Sequence, residues 1–99
     1  MHVFLALALL AMCVASHAGP ATERYAPAQL NAGRELLERA HAAAARGDDR
    51  LAGKLAWQAS LDARLAWRMS EAPALRADAA ELGGEASELI RRLASADGR

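Results

Sequence analysis

From residue 27 onward, apolar side chains recur at alternating steps of three and four, the spacing that lines one side of an α-helix. Leu30, Gly33, Leu37, Ala40 and Ala44 form one such seam, widened by Leu36 and Ala43, while Arg34, Glu35, Glu38 and Arg39 mostly face away from it. A second seam runs through Ala52, Leu55, Ala56, Ala59, Ala63 and Ala66, and a third through Leu75, Ala79, Leu82, Ala86, Leu89 and Leu93. The pattern predicts three helices over about residues 27–46, 49–71 and 73–95.

The interruptions between the seams have the chemistry of helix ends. Pro27 suits a first helical turn, where its missing N–H is no loss. Gly47 follows the last periodic residue of the first seam as a left-handed C-terminal cap, and Asp48 or Asp49 can cap the helix that follows. A tight helical hairpin results. Pro73 cannot donate the bond to the fourth residue before it, so it begins a third helix, with residues 70–72 as the joint. Gly83 and Gly84 leave the phase of the third seam intact, so the helix is expected to pass through them, weakened by about 1 kcal/mol per glycine. Residues 19–26 read as a flexible lead-in and residues 96–99 as a fraying tail.

The second seam is almost all alanine, and this has a packing consequence. Small side chains let two helix backbones approach closely, so Leu30 and Leu37 of the first helix can lie in a nearly smooth groove lined by Ala52, Leu55, Ala56, Ala59, Ala63 and Ala66. The expected fold is all-α: an antiparallel helical hairpin with Gly47 and Asp48 at its turn, plus a third helix, in a three-helix bundle-like or an extended coiled-coil-like arrangement.

Composition agrees with that class. Of 99 residues, 27 are alanine, four are aromatic and few are β-branched, which favours helix over strand. Twelve basic and twelve acidic side chains cancel, so there is no overall field to attract nucleic acid. The only cysteine, Cys13, and the scattered histidines His2, His17 and His41 offer no metal-ligand spacing.

The N-terminus changes the picture more. Residues 3–14 are a twelve-residue apolar run, short of the roughly 20 residues that span a bilayer and suited to the core of an export signal. Ser16 and Ala18 place small residues three before and one before a cut after Ala18, so residues 1–18 read as a signal peptide and the mature chain as starting at Gly19, in the periplasm. Met1 and His2 lack the usual positive charge of such a leader. Leu10, three before Cys13, also permits a lipoprotein reading, in which acylated Cys13 would anchor the chain to the outer membrane; Met12 is larger than the residue normally found before such a cysteine.

Tyr25-Ala26-Pro27-Ala28-Gln29-Leu30, Arg34-Glu35 with Leu37, Gly47-Asp48, and then Ala52, Leu55-Ala56, Gln58-Ala59, Asp62-Ala63 and Ala66 resemble the bacterial envelope family called domain of unknown function 4398. The resemblance spans about residues 25–66. It implies an export or lipoprotein signal and a helical hairpin similar to a tetratricopeptide unit, in a family some of whose members carry a peptidoglycan-binding domain. It implies no activity. Asp49 stands where the family usually has an aromatic residue, and Trp57 where a charged one is usual.

Candidate chemistry is sparse. Asp62, at the edge of the packed face, suits a polar contact across the hairpin better than catalysis, since no second carboxylate, histidine or nucleophile shares its face. Ser60, Ser70 and Ser87 lack a nucleophile-elbow setting, and Gly83-Gly84 lacks the strand-loop-helix context of a phosphate cradle. Glu35 and Glu38 alternate with Arg34 and Arg39 on a solvated face. Trp57 and Leu61 are the odd residues, lying opposite the alanine seam among Arg50, Lys54, Arg64 and Arg68. They form either a partner-contact spot with Arg64 and Arg68, since Trp and Arg dominate interface hot spots, or a patch that the third helix covers as its leucines seek burial; the second reading is favoured. The expected function is therefore non-enzymatic: a protein-binding or self-associating module, with no cofactor, metal, nucleic acid or small-molecule substrate, and with a membrane association only if Cys13 is lipidated.

Overall fold

A computed structural model describes residues 20–97 as three helices: α1 (Pro20–Ala45), α2 (Asp49–Met69) and α3 (Pro73–Asp97). The protein is all-α, and no strand occurs among the described residues. Helices α1 and α2 pack along their length as an antiparallel hairpin, while α3 folds back chiefly onto α2 and meets α1 more sparsely. The expected signal peptide, Cys13 and the last two residues lie outside the described residues.

The α1–α2 turn is built from local rules. Gly47 has φ +81°, and its N–H donates to the Ala44 carbonyl at 3.0 Å while the Asp48 N–H reaches back to the Ala43 carbonyl at 2.9 Å. That pair of bonds is a Schellman cap, which satisfies carbonyls that the end of a helix leaves unpaired and requires a residue tolerant of the left-handed region. The Asp48 side chain then accepts from the Leu51 N–H at 3.2 Å and caps α2. Three residues thus end one helix, reverse the chain and start the next.

The core is a single cluster in which all three seams meet. Leu30, Leu37 and Ala40 of α1, Leu55, Ala56, Ala59, Ala63 and Ala66 of α2, and Ala79, Leu82, Ala86 and Leu89 of α3 are all buried in it. Ala52 is also fully buried on the same side of α2. The tightest approach is at Gly33. A Cβ there would lie 2.8 Å from the Leu82 side chain, 3.1 Å from Asp62 Cβ and 3.5 Å from the Ala59 carbonyl, so the missing methyl group is what lets the three helices converge. Gly83 and Gly84, by contrast, lie within an uninterrupted α3; a Cβ at Gly83 would make ordinary contact with Ala63 at 3.6 Å, and one at Gly84 would meet nothing.

Several boundaries differ from those the sequence predicts. Residues 20–26, expected as an irregular lead-in, are helical, because α1 begins at Pro20 and carries Pro27 inside it. An interior proline forfeits a backbone hydrogen bond and crowds the preceding turn, so the extra helix must be held from outside. Ala26 is fully buried, and the Glu23 carboxylate accepts from Ser70 Oγ and from the Glu71 N–H, each at 3.2 Å. At the other end, α3 runs to Asp97 rather than ending near residue 95. The second helix stops at Met69, short of the predicted end at residue 71, and residues 70–72 form the joint before Pro73.

Candidate interaction surface

Helix α2 has two faces with opposite character. Its inner face carries the buried alanines, and its outer face carries Trp57, Leu61 and Leu65 at successive four-residue steps, 54%, 44% and 47% exposed. Arg50, Lys54, Arg64 and Arg68 surround this stripe, all exposed, and none of the four has a hydrogen bond or ion pair among the described residues. Asp49 and Asp62, the acidic residues of the helix, lie away from the stripe: Asp49 is in the first turn, and Asp62 accepts from Gln29 Nε2 across the hairpin at 2.8 Å. The outer face is therefore apolar along its middle and cationic along its edges.

The expectation that α3 covers Trp57 does not hold. Leu82 is buried against Gly33, and Gly83 lies over Ala63, so the leucine seam of α3 is spent on the inner side of α2. Close approach across small residues gives α3 a deeper groove there than the outer face could offer. What α3 does reach is the other tryptophan. The Arg76 guanidinium lies 4.1 Å from the ring centroid of Trp67, a cation–π contact, and its Nε donates to the Ser70 carbonyl at 2.7 Å.

That contact belongs to a polar tie at the α2–α3 joint which sequence reasoning misses. Ser70 is almost fully buried; its hydroxyl donates to Glu23 and accepts from the Ala72 N–H at 3.0 Å. Glu23, Ser70, Arg76 and Trp67 thereby connect the start of α1, the end of α2 and the start of α3. Glu23 and Ser70 are 47 positions apart, and the only local signal was a serine beside a proline-initiated helix. Of the other serines considered, Ser60 is buried and donates back to the Trp57 carbonyl at 2.7 Å, and Ser87 is exposed.

A second surface feature lies where α1 and α3 meet only sparsely. A groove of about 320 Å³ runs between them, with Leu37 and Leu82 at its floor and Glu38, His41, Glu81 and Glu85 along its walls. Arg34 and Asp78 pair at 3.6 Å beside it. Further along α3, Arg91 donates to Glu88 at 3.1 Å, and that bond holds the Glu88 carboxyl below its usual range. Glu38, Glu81 and Glu85 have no such partner among the described residues. No group of three histidine, cysteine or carboxylate side chains among the described residues is placed to hold a metal ion, and no described helix is long and apolar enough to cross a membrane.

Compared with family models, curated proteins and solved structures, the chain matches none of them.

Proposed function

We propose that this protein is a non-enzymatic helical module of the bacterial cell envelope that works by protein–protein contact, exported to the periplasm with its leader removed after Ala18. The observation that carries the reading is the outer face of α2, where Trp57, Leu61 and Leu65 stay exposed although the chain has a third helix with which to cover them. Tryptophan and arginine are the residues most enriched where binding energy concentrates, and a contiguous apolar stripe rimmed by cations fits a contact surface better than a solvated one. The apolar run at residues 3–14 and the cut site at Ala18 support export, and the resemblance to the domain of unknown function 4398 supports an envelope role.

The test is photo-crosslinking in the living cell, with the reactive group placed at Leu61 and, as a control on an equally exposed face, at Glu35. A discrete protein adduct at position 61 and none at position 35 is the expected result. Equal labelling at both positions, or none at either, would overturn the contact role. Mass spectrometry of the isolated protein settles export separately: a mature N-terminus at Gly19 is expected, whereas a diacylated Cys13 would replace the soluble form with an outer-membrane lipoprotein.

A further inference from the structure

The contact reading just given leaves the partner open, and the charge layout of the molecule narrows it. Arg64 and Arg68 lie four residues apart on the outer face of α2, as do Arg50 and Lys54. Glu81 and Glu85 lie four residues apart on the wall of the α1–α3 groove. Like charges at that spacing repel along a helix, and neither row has a neutralising partner among the described residues. The two rows lie on different sides of α3, because Glu81 and Glu85 line the groove toward α1 whereas Arg64 lies beside Ala80 and Gly83 on the flank that α2 occupies. A four-residue step on any helix rises about 6 Å, so the two rows have the same pitch.

We propose that the partner of the α2 outer face is a second copy of this chain: α2 of one molecule lies antiparallel to α3 in the α1–α3 groove of the next, setting Arg64 against Glu85 and Arg68 against Glu81, with Leu61 and Trp57 continuing into the adjoining hollow lined by His41, Glu88 and Arg92. This inference rests on the contact role of that face. Three observations single out this arrangement. Pairing two α2 faces with each other would bring four cations against four, so a two-fold dimer through that face is opposed by its own charge. The full chain has a formal net charge of zero, so copies do not repel at long range. The apolar stripe is only three side chains long, too little area to anchor the helix in a lipid surface by itself. A face and a groove that are different surfaces make a heterologous contact, so each docked copy leaves one face and one groove free, and assembly continues until a ring closes or concentration limits it.

The experiment uses the processed protein isolated from cells, in sedimentation velocity over a range of concentrations at low and high salt. The wild-type protein is expected to grow beyond a dimer as concentration rises and to return to monomer in high salt. Two variants each disable one side at exposed positions: R64E with R68E, and E81K with E85K. Each alone is expected to sediment as a monomer with unchanged helix content by circular dichroism. Mixed, they should grow beyond a dimer in alternation, because the intact face of one fits the intact groove of the other and the two charge-reversed sides also complement each other. All four substitutions in one chain should restore growth with the charges exchanged.

A wild-type protein that is monomeric throughout, variants that assemble as the wild type does, or a mixture that stays monomeric would each overturn self-docking. Flotation with vesicles of phosphatidylglycerol provides the contrasting outcome. Binding lost in R64E/R68E but retained in E81K/E85K, without self-association, would assign the face to an anionic lipid surface instead. A discrete adduct at Leu61 to a different protein, together with a monomeric chain, would end the self-docking proposal and leave the contact role standing.

Discussion

The two connections between the described helices are both three residues long, yet they are made in different ways. Between α1 and α2 every element is local: Gly47 in the left-handed region, the Schellman bonds to Ala43 and Ala44, and Asp48 capping Leu51. Between α2 and α3 the decisive bonds come from afar, since Ser70 and Glu71 both donate to Glu23 and Arg76 closes over Trp67. A turn of the first kind depends on a residue's own conformational preference. A joint of the second kind depends on the rest of the fold being in place. The same contrast separates the faces of α2, because the inner alanines act through close fit with two other helices while Trp57, Leu61 and Leu65 of the outer stripe stay about half exposed.

The largest stability effect is therefore expected on the inner face. Ala59→Leu places a bulky side chain where α1 and α3 converge, and overpacking of this kind costs about 1–3 kcal/mol, read as a lower midpoint in urea denaturation. Gly33→Ala tests the same convergence by a single methyl group. The clash with Asp62 Cβ at 3.1 Å and Leu82 at 2.8 Å should outweigh the better helix propensity of alanine, for a net loss of about 1 kcal/mol. Were Gly33→Ala neutral or stabilising, the close approach would not be what holds the three helices together.

The connections give effects of similar size for different reasons. Gly47→Ala meets no neighbour, so its expected loss of about 1 kcal/mol comes from the backbone alone and should be independent of other substitutions. Ser70→Ala removes the donor to Glu23 and the acceptor of the Ala72 N–H, for about 1 kcal/mol. The comparison is decided by coupling. A double-mutant cycle of Ser70→Ala with Glu23→Gln should be non-additive, and one of Gly47→Ala with Glu23→Gln additive, because only the first pair shares a bond.

At the small end lie substitutions that remove no packing. Trp57→Ala should change stability by no more than about 0.5 kcal/mol, as is usual for an exposed site, while removing assembly and the crosslink at position 61. Gly84→Ala, in open space within α3, should stabilise the protein by about 0.5–1 kcal/mol. A large loss in either would show that these positions face something.

Much of the fold was legible because it is written in periodicity and end signals. Leu30, Leu37, the α2 alanines and Ala79, Leu82, Ala86 and Leu89 of α3 are buried where their spacing puts them, with Leu75 and Leu93 partly buried at the ends of that seam, and Gly47, Asp48 and Pro73 mark ends by chemistry that acts within five residues. The start of α1 was not legible. Pro27 and the polar run before it argue for a break, and what overrides them is Glu23 meeting Ser70 and Glu71, partners that exist only after α1 and α2 have folded together. The exposure of Trp57 was likewise hidden. Sequence shows that the leucines of α3 need burial, but the choice between the two sides of α2 depends on the groove opened by Gly33, Ala59 and Ala63, which three helices create jointly.

The most direct measurement is the fluorescence of Trp57 alone, in a Trp67→Phe variant of the processed protein, followed with iodide from dilute to concentrated solution. A free outer face that docks a second copy requires red-shifted, readily quenched emission when dilute, becoming blue-shifted and protected as concentration rises. Protection that persists at every dilution would mean that the chain covers Trp57 itself, and ready quenching at every concentration would mean that no second copy ever does; either result contradicts a face kept open for its own kind.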